Sequence, residues 1–347
     1  MKISKAFFEH FLLKLRTPFR FGNNTLTHKE GFLLKLSDDR GRIGMGTIEP
    51  FEYFGTESFQ SAGEQLSRLS SFWESGDSDN PEEILDKIKN LFGEYPATHS
   101  GIEQAILSLC SSSEDKTFPH LPGNDSRKLL RVNGVVGLGD VTEVIREVGR
   151  LLEAGRKTIK IKCGREKTFQ DLKVFMAVRK EFGDKVILRG DANGKWTKTQ
   201  AVEVLKAFED INIEYMEQPV RDLNEFEFLK SRVKTPIAAD ESFRGLNELE
   251  TILSEGTADY LILKPIPAGG LLNSIKIIDR CKVQGTPVIV TTSMDSCIGK
   301  RISVLAATRL DSDRACGLDT TQFFEADLAE DVYPVVEGKI TITQPII

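Results

Sequence analysis

The chain has 347 residues, about twice what one hydrophobic core holds comfortably, so two domains or one large barrel with an appendage is the starting expectation. Its 40% hydrophobic and 28% charged residues are those of a globular protein, and a net charge of −6 argues against a nucleic-acid partner held by counterion release. The early apolar cluster from Phe7 to Leu13 is broken by Glu9 and His10 and followed by Lys14 and Arg16; this fits neither a signal-peptide core nor a membrane span, so a cytoplasmic protein with no membrane partner is expected.

From Lys2 to about Asp125 the pattern runs from strands to helices. Apolar runs at 5–16, 31–37 and 43–49 read as strands, with Asp38-Asp39-Arg40-Gly41 as the hairpin turn between the second and third. Helical periodicity follows at 57–72, 81–92 and 99–111, and Asn80-Pro81 supplies a cap and first turn for the middle helix. This order suggests an α+β unit, and the Ser-, Asp-, Gly- and Pro-rich stretch from Ser111 to Arg127 reads as a linker.

Beyond the linker, short apolar runs alternate with amphipathic helices. The runs are 132–136, 158–162, 186–191, 211–217, 236–240, 260–264, 287–291 and, weakly, 314–318. Eight such runs over roughly 190 residues read as a parallel (β/α) barrel, and an open doubly wound sheet reads similarly. The tail from Phe323 to Ile347 returns to strand-like alternation at Gly338 to Ile342 and is expected to pack back on the first domain.

Five cysteines (Cys110, Cys163, Cys281, Cys297, Cys316) are widely spaced without a Cys-x-x-Cys, which disfavours a disulfide framework or a zinc site. All four histidines lie in the first 120 residues, so chemistry in the remainder must use carboxylates, lysines, hydroxyls or an oxygen-held metal. A barrel strand covered on both faces should be almost wholly apolar. Five of these runs instead finish on a charge, at Lys162, Asp191, Glu217, Asp240 and Lys264, each 23 to 29 residues from the last, or about one β/α unit. That point is the C-terminal end of the strand, where barrel enzymes place their chemistry.

Asp191, Glu217 and Asp240 on neighbouring strands offer hard oxygen ligands only, which points to Mg²⁺, with Mn²⁺ as substitute; pairing of each carboxylate with a lysine is the structural alternative. Residues two apart on a strand share a face, so Lys160 and Lys162 point into the barrel together while Ile159, Ile161 and Cys163 face the helices. Buried beside a divalent cation, both lysines would be pushed down in pKa, as suits a general base, with Lys264 approaching from the other side of the ring. The reading from residues alone is a metal-stabilised enolate of a small-molecule carboxylate, flanked by lysines.

Lys160-x-Lys162, Asp191-Ala192-Asn193, Glu217-Gln218-Pro219, Asp240-Glu241-Ser242 and Lys264-Pro265, in this order and spacing, resemble the muconate-lactonizing subgroup of the enolase superfamily. The resemblance spans most of residues 130 to 320 and implies an α/β fold of the enolase type. In it an N-terminal α+β capping domain (1–125) closes a (β/α)7β modified TIM barrel (126–322), and the segment 323–347 packs back on the cap. Thr291-Thr292-Ser293-Met294-Asp295-Ser296 with Ile298-Gly299, and Gly317-Leu318-Asp319-Thr320, further resemble the o-succinylbenzoate synthase family of menaquinone biosynthesis. That family's loop usually reads Ser-Ser-x-Glu-Ser, so Asp295 stands in place of Glu and Thr in place of Ser. The Asp-x-Asp signature of dipeptide epimerases is not seen near this loop.

This resemblance implies dehydration of 2-succinyl-6-hydroxy-2,4-cyclohexadiene-1-carboxylate to o-succinylbenzoate, with Mg²⁺ on Asp191, Glu217 and Asp240. Lys162 would remove the α-proton and then assist departure of the hydroxyl from the same face, Lys160 would keep the pKa of Lys162 low, and Lys264 would place a cation on the opposite face. An N-acylamino-acid racemase using Lys162 and Lys264 as two bases is the alternative on the same scaffold, and a non-catalytic barrel the alternative of another class.

Other positions carry secondary expectations. Asn193 and Glu241 flank the ligands as outer partners or as turn and cap residues; Arg189 reaches the substrate loop or forms a structural ion pair. Gly269-Gly270 could present backbone N–H groups to a substrate carboxylate, and Ser293, Met294 and Asp295 could touch substrate. Thr17 to Glu30, with Gly22-Asn23-Asn24, resembles in position the family's capping loop or is a plain mobile connection. Gly134-x-x-Gly137-x-Gly139 has the wrong spacing for a nucleotide loop, and Trp196 reads as packing.

Overall fold

Strand β1 (Ile3–Phe21) turns back through β2 (Asn24–Asp38) to β3 (Ile43–Ile48), forming an antiparallel sheet in the order β1-β2-β3. This computed structural model describes residues 2–21, 24–75, 80–111 and 129–342. The expected turn at Asp38 to Gly41 is present: the Asp38 carboxylate accepts from the Arg40 and Arg42 amides at 3.0 and 2.9 Å, and Gly41 takes the left-handed φ of 77°. The stretch 17–30, expected as a loop or mobile connection, is instead mostly strand, while Gly22 and Asn23 lie outside the described residues. Helices α1 (Phe59–Ser75), α2 (Pro81–Phe92) and α3 (Pro96–Ser111) follow, and the Asn80 side chain caps α2 through the Glu82 amide at 3.0 Å. Helix α3 lies directly on β3 because Gly44 and Gly46 carry no side chain: a Cβ there would stand 2.1 Å from the carbonyls of Ala105 and Gly101. The expected linker falls almost wholly outside the described residues.

The second part begins with β4 (Leu129–Arg131) and then alternates strand and helix: β5 (Gly134–Val136), α4 (Val141–Glu153), β6 (Thr158–Lys162), α5 (Thr168–Phe182), β7 (Ile187–Asp191), α6 (Lys198–Phe208), β8 (Tyr215–Glu217) and α7 (Phe226–Lys230). It continues with β9 (Ile237–Ala239), α8 (Leu246–Glu255), β10 (Tyr260–Leu263), α9 (Leu271–Gln284), β11 (Val288–Val290), α10 (Lys300–Ala307) and β12 (Lys339–Thr341). Strands β5 to β11 form one curled parallel sheet in sequence order. The eighth expected strand is reduced to single bridges, Val132 to Cys316 and Thr291 to Gly317, which link the two sheet edges. Capping boxes at Asp140/Glu143 and Thr197/Gln200 start α4 and α6. The Gly134 to Gly139 stretch thus ends at a helix cap. No helix among the described residues is long and apolar enough to cross a membrane.

The tail divides its contacts. The Glu325 amide donates to the Lys14 carbonyl of β1 at 2.8 Å, but β12 pairs antiparallel with β4 rather than with the first sheet. Three buried contacts join the first three helices and sheet to the barrel mouth: His99 Nδ1 to the Gly269 carbonyl at 2.6 Å, Gln104 Nε2 to the Ile298 carbonyl at 2.6 Å, and Glu49 accepting from the Ser296 amide and hydroxyl at 2.9 and 2.6 Å. Register places Lys162, Asp191 and Glu217 side by side on β6, β7 and β8.

Candidate active site

Side chains inside a curled parallel sheet meet at its strand ends, and here they carry charge instead of apolar bulk. Lys162 Nζ lies 2.5 Å from Asp191 Oδ2 and 3.0 Å from Asn193 Oδ1. Lys160 Nζ donates to Glu217 Oε1 at 3.0 Å and stands 3.4 Å from Asp191 Oδ2. Lys264, just past β10, pairs with Asp240, just past β9. All six expected residues therefore converge, and the lysine–carboxylate pairing raised as the structural alternative is what the side chains adopt. A cavity over them is lined by Lys160, Lys162, Asp191, Asp240 and Lys264, by Thr291, Thr292 and Thr320, and by the apolar side chains of Phe19, Phe54, Met294 and Phe323. Glu217 does not line it; its carboxylate is held by Lys160.

Electrostatics follow from this crowding in low dielectric. Burial and the Asp191 charge push Glu217 up. Burial works against Asp191 too, but Lys162 and Lys160 outweigh it and hold the carboxyl well below its usual range. At Lys160 burial disfavours the charge, yet Glu217 and Asp191 dominate and raise its pKa. At Lys264 burial wins, bringing the amine down to about 7 against the pull of Glu217.

Asn193 and Glu241 join the site as outer partners. Asn193 has a left-handed φ of 46°, and its Nδ2 donates to Glu241 Oε1 at 2.8 Å. Gln218 ties two strand ends, its Oε1 accepting from the Asp240 and Ser242 amides at 2.9 and 3.2 Å. Arg189 takes the structural course. It is fully buried with Nε 2.7 Å from Glu214 Oε2 and its guanidinium 4.9 Å from the Tyr215 ring, one layer below Asp191. The Gly269 and Gly270 amides are spent on the carbonyls of Ile266 and Pro265 at 3.0 and 2.8 Å, so they do not offer the expected substrate contact. Beside them the buried Glu103 carboxylate accepts from the Leu272 amide at 3.1 Å, filling the start of α9. Of the three loop residues expected to touch substrate, Ser293, Met294 and Asp295, only Met294 lines the cavity. Ser293 and Asp295 bond to each other at 2.6 Å, and Asp295 is wholly buried.

Several residues of the site and its surroundings were not singled out from sequence. Tyr53 and Phe54 come from the turn after β3: the Tyr53 hydroxyl donates to Glu241 Oε1 at 3.1 Å, and Lys264 Nζ lies 4.2 Å from the Phe54 ring centroid. Asp319 is paired with Arg156, whose Nε donates to its Oδ2 at 2.7 Å. Thr291, Thr292, Asp319 and Thr320 stood within quoted motifs, and Phe19 within the stretch 17–30 likened to a capping loop; nothing local marked Tyr53, Phe54 or Phe323.

The donor set suits a hard divalent cation. It is all oxygen, Glu217 is pushed up by a neighbouring carboxylate, and Glu241 Oε2 is buried with no hydrogen-bond partner. Among the described residues no three acidic, His or Cys side chains already converge at metal-ligand spacing, as the lysine pairing of each carboxylate explains.

Residues 143–345 match the enolase C-terminal domain-like family and residues 4–105 match the MenC N-terminal domain. An o-succinylbenzoate synthase from Mycobacterium leprae is 34% identical over 218 residues, covering 62% of this chain and 63% of its own. An N-succinyl-L-Arg/Lys racemase from Bacillus cereus is 23% identical over 302 residues, covering 86% and 82%. The solved structure of a dipeptide epimerase from Enterococcus faecalis V583, complexed with Mg and the dipeptide L-Leu-L-Tyr, superposes with a TM-score of 0.86 at 23% identity, covering 98% of this chain and 97% of that one.

Proposed function

The chain belongs to the enolase superfamily, and on that premise we propose that it is a Mg²⁺-dependent, lysine-base enzyme that dehydrates 2-succinyl-6-hydroxy-2,4-cyclohexadiene-1-carboxylate to o-succinylbenzoate. The observation that carries this reading is the layer of three lysines and three carboxylates at the ends of five consecutive strands, in a barrel without histidine. The match of residues 4–105 to the MenC N-terminal domain supports the menaquinone context.

Held by Asp191, Glu217 and Asp240, Mg²⁺, or Mn²⁺ with the same oxygen preference, would supply positive charge to a substrate carboxylate as its α-carbon loses a proton. Lys162 Nζ takes that proton, with Asn193 Oδ1 and Asp191 Oδ2 orienting the amine. The ammonium so formed returns the proton to the departing hydroxyl on the same face. Lys264, against the Phe54 ring, opposes it as a cation for the delocalised charge. Lys160 stays charged between Glu217 and Asp191, where it faces the substrate carboxylate.

Cavity chemistry supports an acyl or ring substrate over a dipeptide. A dipeptide brings a free ammonium that needs an uncommitted carboxylate, and Asp319, which lines the cavity, is already taken by Arg156. The apolar walls of Phe19, Phe54, Met294 and Phe323 suit a cyclohexadiene ring. One observation favours a second reading, N-acylamino-acid racemase: Lys162 and Lys264 enter from different strands and could serve as two bases. Assaying loss of diene absorbance and racemisation of N-succinyl amino acids on one Mg²⁺-loaded preparation tests both. Dehydration alone supports the first reading, racemisation alone the second, and neither activity overturns both.

A further inference from the structure

The turn Phe51 to Gly55 sends two neighbouring side chains to two different lysines. Tyr53 donates to Glu241 Oε1 at 3.1 Å, the same oxygen accepts from Asn193 Nδ2 at 2.8 Å, and Asn193 Oδ1 accepts from Lys162 Nζ at 3.0 Å. Phe54 presents its ring to Lys264 Nζ at 4.2 Å. From this arrangement we infer that one turn of the capping sheet aligns both lysines, Tyr53 acting as a positioning residue for Lys162 through Glu241 and Asn193, and Phe54 as a positioning residue for Lys264. The inference deepens the proposed function, because it rests on Lys162 and Lys264 working on opposite faces of the substrate.

An asparagine amide can present either its oxygen or its NH₂ to a neighbour. With Nδ2 tied to Glu241, Oδ1 is left for the lysine; released, the amide is free to turn its NH₂ toward an ammonium, which repels it. Glu241 Oε2 is buried with no hydrogen-bond partner, so Oε1 carries the contacts to Tyr53 and Asn193. At Lys264 the aromatic face favours a cation held over the ring and blocks other rotamers. The turn itself is braced. Phe51 packs on Phe54 edge to face at 5.1 Å, the buried Lys29 ammonium sits 4.3 Å from the Phe51 ring, and the Phe51 amide donates to Thr56 Oγ1 at 2.5 Å. Gly55 closes it with a φ of 86°, where a Cβ would come within 2.8 Å of Arg244. An aligned turn therefore requires the first sheet and the barrel to be docked together.

The test uses full-length, Mg²⁺-loaded wild type, Tyr53→Phe and Phe54→Leu. Exchange of the α-hydrogen of N-succinyl-D- and N-succinyl-L-phenylglycine in D₂O is followed by NMR, with Lys162→Ala and Lys264→Ala assigning which enantiomer each lysine serves. Tyr53→Phe should slow the Lys162 enantiomer roughly tenfold in kcat, with KM within about twofold and the other enantiomer little changed; Phe54→Leu should show the reverse preference. Equal slowing of both enantiomers, or a change in KM alone, overturns the inference. A wild type that exchanges neither enantiomer and does not dehydrate the diene counts against the proposed function instead. The crystal structure of Tyr53→Phe then decides: Asn193 turned off Lys162 supports the positioning role, and an unchanged contact overturns it.

Discussion

Replacing Lys162 by alanine removes the group on which the proposed chemistry depends and leaves its surroundings nearly intact. The amine has two side-chain contacts, Asp191 Oδ2 at 2.5 Å and Asn193 Oδ1 at 3.0 Å. Lys160, the nearest other amine, is held by Glu217 at 3.0 Å and cannot take over without giving up that pair. Because the proposed reaction uses Lys162 as base and then as proton donor, turnover should fall at least about 10⁴-fold, or about 5 kcal/mol on the barrier. Asp191 keeps Lys160 at 3.4 Å, so the variant should lose only about 1–2 kcal/mol of stability rather than the ~3–5 kcal/mol of a buried charge left alone. Mg²⁺ binding should be retained or tightened, since a cation competing for Asp191 is gone. Calorimetric Mg²⁺ titration and thermal unfolding, run beside the diene assay, separate these effects. Turnover within tenfold of wild type, with Mg²⁺ still bound, would refute the base assignment.

Three further outcomes follow from the geometry. Burial pushes the Glu103 carboxyl to about 7, against the partial offset of the Leu272 and Leu271 amides. Its native form therefore binds a proton more tightly than the unfolded chain, whose glutamates titrate near 4.5. Stability from this group is present below pH 4.5 and is lost as pH rises through 7, by about 3 kcal/mol; Glu103→Gln should flatten that part of the profile in denaturant titrations, and an unchanged slope contradicts the assignment. Arg156→Ala strands Asp319 at the cavity edge, both side chains being 10% exposed, and should cost about 3 kcal/mol in chemical denaturation, with Arg156→Ala/Asp319→Asn recovering much of it. Lys264→Ala should slow dehydration by about 10²- to 10³-fold while leaving exchange from the Lys162 face measurable by NMR; loss of both equally would contradict its opposite-face role.

The strand-end charges could be read from sequence because a parallel strand covered on both faces has no other reason to be charged. Lys162, Asp191 and Glu217 recur at the β/α period, and register places them side by side as that period requires. What stayed hidden depends on distances sequence does not encode. Arg189 shares the inward face with Asp191, but its partner Glu214 precedes the next strand, and only folding shows that the pair lies below the site. Gly269 and Gly270 look like free amide donors until the turn spends both on its own carbonyls. The eighth strand was weak in pattern and is weak in the fold, a bridge on each side. At Lys160 the two carboxylate partners outweigh burial, a balance set by folded distances rather than by residue types. Tyr53 and Phe54 reach Glu241 and Lys264 across some 190 to 210 residues, a separation no local motif spans.

The account stands most directly on metal-dependent enolisation of a carboxylate by this site. Incubating the wild-type protein with an N-succinyl amino acid or the diene carboxylate in D₂O, with Mg²⁺ and then with excess chelator, reads that step alone. Loss of the α-proton, by deuterium exchange or by dehydration, should proceed with Mg²⁺ and stop on chelation. Loss that continues without a divalent metal, or none with Mg²⁺ bound, would contradict it.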